Sequence, residues 1–234
     1  MPWPRPNRKV AYALGRLGRK WVVPMAALVG LAVGPVYVAA QSPPVGARLT
    51  YTKVLKGSVP EYEKVVVNAD GSGEYDGHAL GALPNPQPFH LTESTVQKFF
   101  RLAAVLHDFR GVNLESRKRV ANLGLKTFEY ESDGQDYRCQ FNYSTNRVAG
   151  QLTNLFESVA TVERHIMALH YAMRYDPLGL PHELTLIQID LDNKSLVDPQ
   201  LMNGALEKIA NDPSVLHFAQ LRARHILRQI QSKN

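Results

Sequence analysis

Residues 125–143 read LKTFEYESDGQDYRCQFNY. Phe128 and Tyr130 alternate with Thr127, Glu129 and Glu131. Tyr137, Cys139, Phe141 and Tyr143 alternate with Arg138, Gln140 and Asn142. Asp133-Gly134 stands between the two arms, where glycine accepts the positive φ of a tight reversal. Period-two patterning on both arms predicts an antiparallel hairpin with one buried and one wet face. From Asn146 the period changes. Val148, Leu152, Leu155, Val159, Val162, Ile166, Leu169 and Met173 recur at alternating steps of four and three, which predicts one long helix with an apolar stripe, ended by Asp176-Pro177. Such a stripe is expected to dock on the sheet or on other helices of the same chain; a coiled-coil dimer is the alternative.

Upstream of the hairpin, 48–55 and 61–69 are rich in Thr, Tyr and Val and read as strands. Asp70-Gly71-Ser72-Gly73 marks a turn before Glu74-Tyr75, and 84–88 (PNPQP) reads as a loop. Helical spacing of Val96, Phe99, Phe100, Ala103, Leu106 and Phe109 predicts a helix over 92–109, with Thr92 as N-cap and Gly111 as stop. Downstream, 181–191 suits a helix, although TLIQIDL also alternates like a strand. Asp198-Pro199 and Asp212-Pro213 read as helix starts, because Pro needs no amide partner in the first turn. They are expected to open helices over 199–210 and 213–231. The fold class is therefore α+β: a small antiparallel β-sheet with one helix, followed by a C-terminal α-helical array.

The chain of 234 residues carries a net charge of +6, placed unevenly. Arg5, Arg8, Lys9, Arg16, Arg19 and Lys20 precede the first acidic residue, Glu61. Beyond residue 40 there are 21 basic and 21 acidic residues, so the charge gives no ground for nucleic-acid binding. Trp21 opens a 20-residue stretch without a charge that ends in Val38-Ala39-Ala40. A basic start, an apolar middle and small residues at the end describe a signal peptide over 1–40, with cleavage expected after Ala40. An uncleaved membrane anchor is the alternative, since about twenty apolar residues span a bilayer. Both readings export the remainder of the chain, periplasmic or secreted. They divide the chain into the leader (1–40), a sheet-plus-helix domain (41–144) and a helical region packed on it (145–234).

Two resemblances accompany this reading. Asp198-Pro199, Leu206-Glu207-Lys208-Ile209-Ala210, Asp212-Pro213-Ser214-Val215 and Leu221-Arg222-Ala223-Arg224-His225-Ile226-Leu227 resemble a HEAT-type helix pair, with Val215-Leu216 in place of the usual Val-Arg. One such pair implies packing of that style and no solenoid. The order of elements after the leader resembles uncharacterised exported bacterial α+β proteins. The residues carrying it are Asp70-Gly71-Ser72-Gly73, Leu91-Thr92, Leu169-His170-Tyr171, and Asp176-Pro177-Leu178-Gly179-Leu180-Pro181. That resemblance implies no particular activity.

Candidate chemistry is sparse. Asn68, Asp70, Ser72 and Gly73 occupy the first positions of a calcium-loop pattern, but its closing ligand position holds Ala79, so a hairpin turn is expected. Asp190, Asp192 and Asp198, with Lys194 among them, read as a solvated loop. The histidines have no metal-ligand spacing, and neither metal nor cofactor is expected. Cys139, on the apolar face of its strand, is expected to be an inert core thiol. No catalytic set assembles from motifs. The preferred expectation is a non-enzymatic binding module of the cell envelope. Its protein partner would meet the basic last helix through Arg222, Arg224 and Arg228; nucleic acid is not expected, and membrane only with a retained leader. The alternatives are an enzyme whose site gathers His107, Asp108, His165, His170 and His182 by folding, and a membrane-tethered structural protein.

Overall fold

The computed structural model describes residues 43–232; the expected leader, its cleavage point and Lys233 lie outside them. Six strands form one antiparallel sheet: β1 (Arg48–Val54), β2 (Tyr62–Asn68), β3 (Ser72–His78), β4 (Gln87–His90), β5 (Leu125–Ser132) and β6 (Gln135–Phe141). Their order is β4-β3-β2-β1-β5-β6. The hairpin forms as expected, with Phe128 opposite Cys139 and Tyr130 opposite Tyr137. Strand β4 falls where a loop was expected after Pro84. Its Pro88 lies opposite Glu74 on the sheet edge, where the missing amide breaks no interior ladder.

Helices α1 (Glu93–Val105), α2 (Arg147–Tyr175), α3 (Leu180–Asp192), α4 (Asn203–Asn211) and α5 (His217–Gln231) complete the described body. The ambiguous segment before Asp192 is thus helical. Helix α2 is the spine of that body. Its 29 residues extend about 43 Å at 1.5 Å per residue. Asn146 caps it, its Oδ1 accepting from the amides of Val148 and Ala149 at 2.8 and 3.1 Å. The stripe docks within the chain, and it serves two cores in turn. Leu152, Phe156 and Val159 pack with Leu49, Tyr51, Phe99 and Phe128 of the sheet and α1. Val162, Leu169 and Ala172 pack with α3, α4 and α5. Tyr51 stacks on Phe156 at 5.2 Å, and Phe109 on Phe128 at the same separation.

Three helix boundaries differ from the sequence expectation. Helix α1 ends before His107, and His107, Asp108 and Phe109 all take positive φ, a left-handed turn that swings the Phe109 ring into the core. Asp198 has left-handed dihedrals and caps no helix of its own; a short 3₁₀ turn (Pro199–Met202) precedes α4. Asp212 accepts from the amide and hydroxyl of Ser214 at 2.9 and 2.6 Å. That closed turn uses up the capping carboxylate, so α5 begins at His217, after an extended Leu216. Asp70 does the same with Ser72 in the β2–β3 turn, and Ala79 comes just past the end of β3, which makes the calcium-like segment a hairpin turn.

Candidate anion-binding cleft

Lys98 and Arg101 stand one turn apart on α1, and Gln151 and Asn154 one turn apart on α2, so each pair shares a helix face. The two faces meet across a hollow of about 690 Å³, which the segment after α3 closes with Lys194, Ser195 and Val197. Leu102 and Leu155 also line it.

The position of Lys194 stems from how α3 ends. Ser195 N–H donates to Asp190 O and Lys194 N–H to Leu191 O, a Schellman closure. Its left-handed residue is Lys194, at φ +55, where glycine is the usual occupant. The closure is stapled to α2 by Ser158, whose hydroxyl donates to Ser195 O at 2.6 Å and accepts from Val197 N at 2.8 Å.

Two carboxylates reach the same hollow, and both are already engaged. Glu157 Oε1 accepts from Lys53 Nζ at 2.9 Å and from the Tyr51 hydroxyl at 3.1 Å. Asp190 Oδ2 lies 3.0 Å from His165 Nε2, and Asp190 Oδ1 accepts from the Ser195 hydroxyl at 3.2 Å. By contrast, among the described residues Lys98, Arg101 and Lys194 make no ion pair. The free charge of the cleft is therefore positive.

His165 is buried on α2, and its Nδ1 lies 2.6 Å from Glu183 Oε1. Burial alone would lower its pKa; the hydrogen bonds and charges of Glu183 and Asp190 outweigh burial and raise it. Glu183 and Asp190 are seven residues apart on α3, hence on one face. That spacing was present in the sequence, where Asp190 reads as loop. Its meaning depends on α3 lying against α2. Both imidazole nitrogens are occupied, so the ring cannot serve as a base without breaking a contact.

The other dispersed candidates do not join this cluster. His107 and Asp108 lie in the left-handed turn, His170 is exposed, and His182 borders a separate hollow of about 420 Å³ with Glu183, Met167 and Tyr171. Among the described residues, no three His, Cys, Asp or Glu side chains are arranged to hold a metal ion. Cys139 is buried, and burial pushes its thiol up to about 11, which leaves it protonated and unreactive.

The three arginines expected to form a docking face do not share one. At about 100° per residue, Arg222 sits on one flank of α5, and Arg224 and Arg228 lie on the other. Arg222 donates to the Thr185 hydroxyl and lies over the Phe218 ring at 4.9 Å. Arg224 donates to Ala210 O at 2.6 Å, while Arg228 is exposed.

The architecture defines a class, an α+β body of an antiparallel sheet backed by helices. Beyond that class, neither the protein-family models nor the curated proteins give a match to this chain.

Proposed function

We propose that this chain is an exported cell-envelope protein that binds an anionic ligand in the α1–α2–α3 cleft and does not transform it. One observation carries the reading: three unpaired cations surround a hollow whose two carboxylates are already satisfied by other groups. A volume of about 690 Å³ lies within the range of small-molecule sites. Lys194 supports it further. A lysine held in left-handed backbone costs stability that glycine would not, and such costs collect at functional positions. Export rests on the leader pattern of residues 1–40. Among the described residues no helix is long and apolar enough to cross a membrane.

Calorimetric titration of the full chain with sulfate tests the site. Sulfate is expected to bind with an affinity that falls as sodium chloride is added. Replacing Lys98, Arg101 and Lys194 together by Glu abolishes binding; Arg228→Glu, on the exposed side of α5, leaves it intact. Absence of sulfate binding, or binding unchanged in the triple variant, overturns the proposal.

A second reading keeps α5 as a contact for an envelope protein. It is favoured by the exposed Phe218, Leu221 and Arg228 on a helix without an acidic residue. Loss of a captured envelope protein on Arg228→Glu supports it, and unchanged capture removes it.

A further inference from the structure

His165 stands between two hollows with one carboxylate toward each. Asp190 lines the anion cleft, and Glu183 lines the neighbouring hollow with Met167, Tyr171 and His182. Glu183 and Asp190, both from α3, are the charged groups that act on the ring. On α2 itself, Arg164 is turned away to Glu63 of β2. From the loop after α3, Ser195 bonds to Asp190 and not to the imidazole.

The protonated ring has N–H on both nitrogens and donates to both carboxylates. The neutral ring has a single N–H. Glu183 keeps it, because its contact is the shorter, 2.6 against 3.0 Å, and its side chain is the less exposed, 16% against 32%. Nε2 then turns a lone pair toward Asp190. Two acceptors 3.0 Å apart repel, and the Asp190 charge loses its balancing cation on the wall of the cleft.

We propose that His165 is a proton-operated control on the anion cleft. Loss of its proton to solvent uncovers the negative charge of Asp190 beside Lys194 and weakens anion binding. The inference rests on the anion-binding reading above and concerns the regulation of that same site. Since the two carboxylates hold the proton beyond the ordinary imidazole range, the control operates above about pH 6.5. One uncovered charge across a solvated cleft changes affinity roughly fivefold.

Sulfate is the suitable probe, because its own charge does not change across the neutral range. Calorimetry of the full chain from mildly acidic to mildly alkaline pH should show its affinity falling roughly fivefold. His165→Gln, which has no proton to lose in this range, should bind with no such pH slope. A second measurement needs no variant. By reciprocity, saturating sulfate should move the midpoint of the His165 ring titration, followed by NMR, upward by about 0.7 in pH. Sulfate binding of constant strength across the range, a slope that persists in His165→Gln, or an unmoved His165 midpoint each overturns the control while the cleft stands. Failure to bind sulfate at any pH removes the anion site, and the control with it.

Discussion

Asp198 accepts the backbone amide of Thr92 at 2.7 Å, so the residue that opens α1 is held by a carboxylate 106 positions away. The Thr92 and Thr95 hydroxyls add contacts to the same carboxylate at 3.0 Å. The residue expected to cap its own helix therefore ties the sheet-side helix to the segment leading into α4.

Asp198→Ala leaves the Thr92 amide and the buried Thr95 hydroxyl without their acceptor. The expected loss is about 1–2 kcal/mol in urea unfolding. Asp198→Gly loses the same bonds but relieves the left-handed backbone, so it should cost less than the alanine variant. Equal losses would show that strain at this position is negligible.

Lys194→Gly should separate stability from binding. Glycine at the closing position of α3 removes the left-handed penalty and stabilises the fold by about 0.5–1 kcal/mol. The same change removes one of three cleft cations, so sulfate should bind more weakly. A variant that binds sulfate as tightly as the parent would exclude Lys194 from the site.

Glu163 lies on α2 at 3% exposure, and among the described residues its carboxylate has no hydrogen-bond or ion-pair partner. Burial pushes it up to about 7. The folded state then binds more protons than the unfolded chain between about pH 4.5 and 7. This contribution is favourable in acid and lost as pH rises through that window. Glu163→Gln removes the charge and should stabilise the protein by about 2 kcal/mol at pH 8, with little effect at pH 4. Thermal melts at the two pH values check the sign.

The His165 cluster acts in the same direction at higher pH. Its folded pKa is raised, so its stabilisation is complete below the ordinary imidazole value near 6.5 and lost as pH rises through the folded value. Glu183→Gln should therefore destabilise the protein more at pH 6 than at pH 9. A difference of the opposite sign between those two melts would mean that the ring is neutral in the folded protein at pH 6.

Phe109→Ala tests the left-handed turn after α1. The ring is buried against Phe128, and its loss should cost about 3–5 kcal/mol while also releasing the positive φ of His107 and Asp108. Amide exchange over residues 105–111 should quicken before that of the sheet.

The legible parts of the chain were those in which burial repeats with a fixed period. Phe128, Tyr130, Cys139 and Phe141 point to one side of a hairpin whatever lies beneath them. The stripe from Val148 to Met173 declares a helix with one apolar side before its partners are known. Charge placement likewise sets the basic residues 5–20 apart from an electrically neutral remainder in the sequence alone. Alternation in 181–191 permitted two answers, and packing of Leu184, Ile187 and Leu191 against α2, α4 and α5 decided for helix.

The candidate site was not legible, for a physical reason. Lys98, Arg101, Gln151, Asn154 and Lys194 form ordinary solvated faces on three separate elements, and only the docking of α1 and α3 on α2 turns those faces toward one another. His165 acquires two carboxylates, and Thr92 a carboxylate from Asp198, by the same route. Local periodicity records whether a residue is buried. Which distant residue meets it depends on how two cores, sharing one helix, settle against each other.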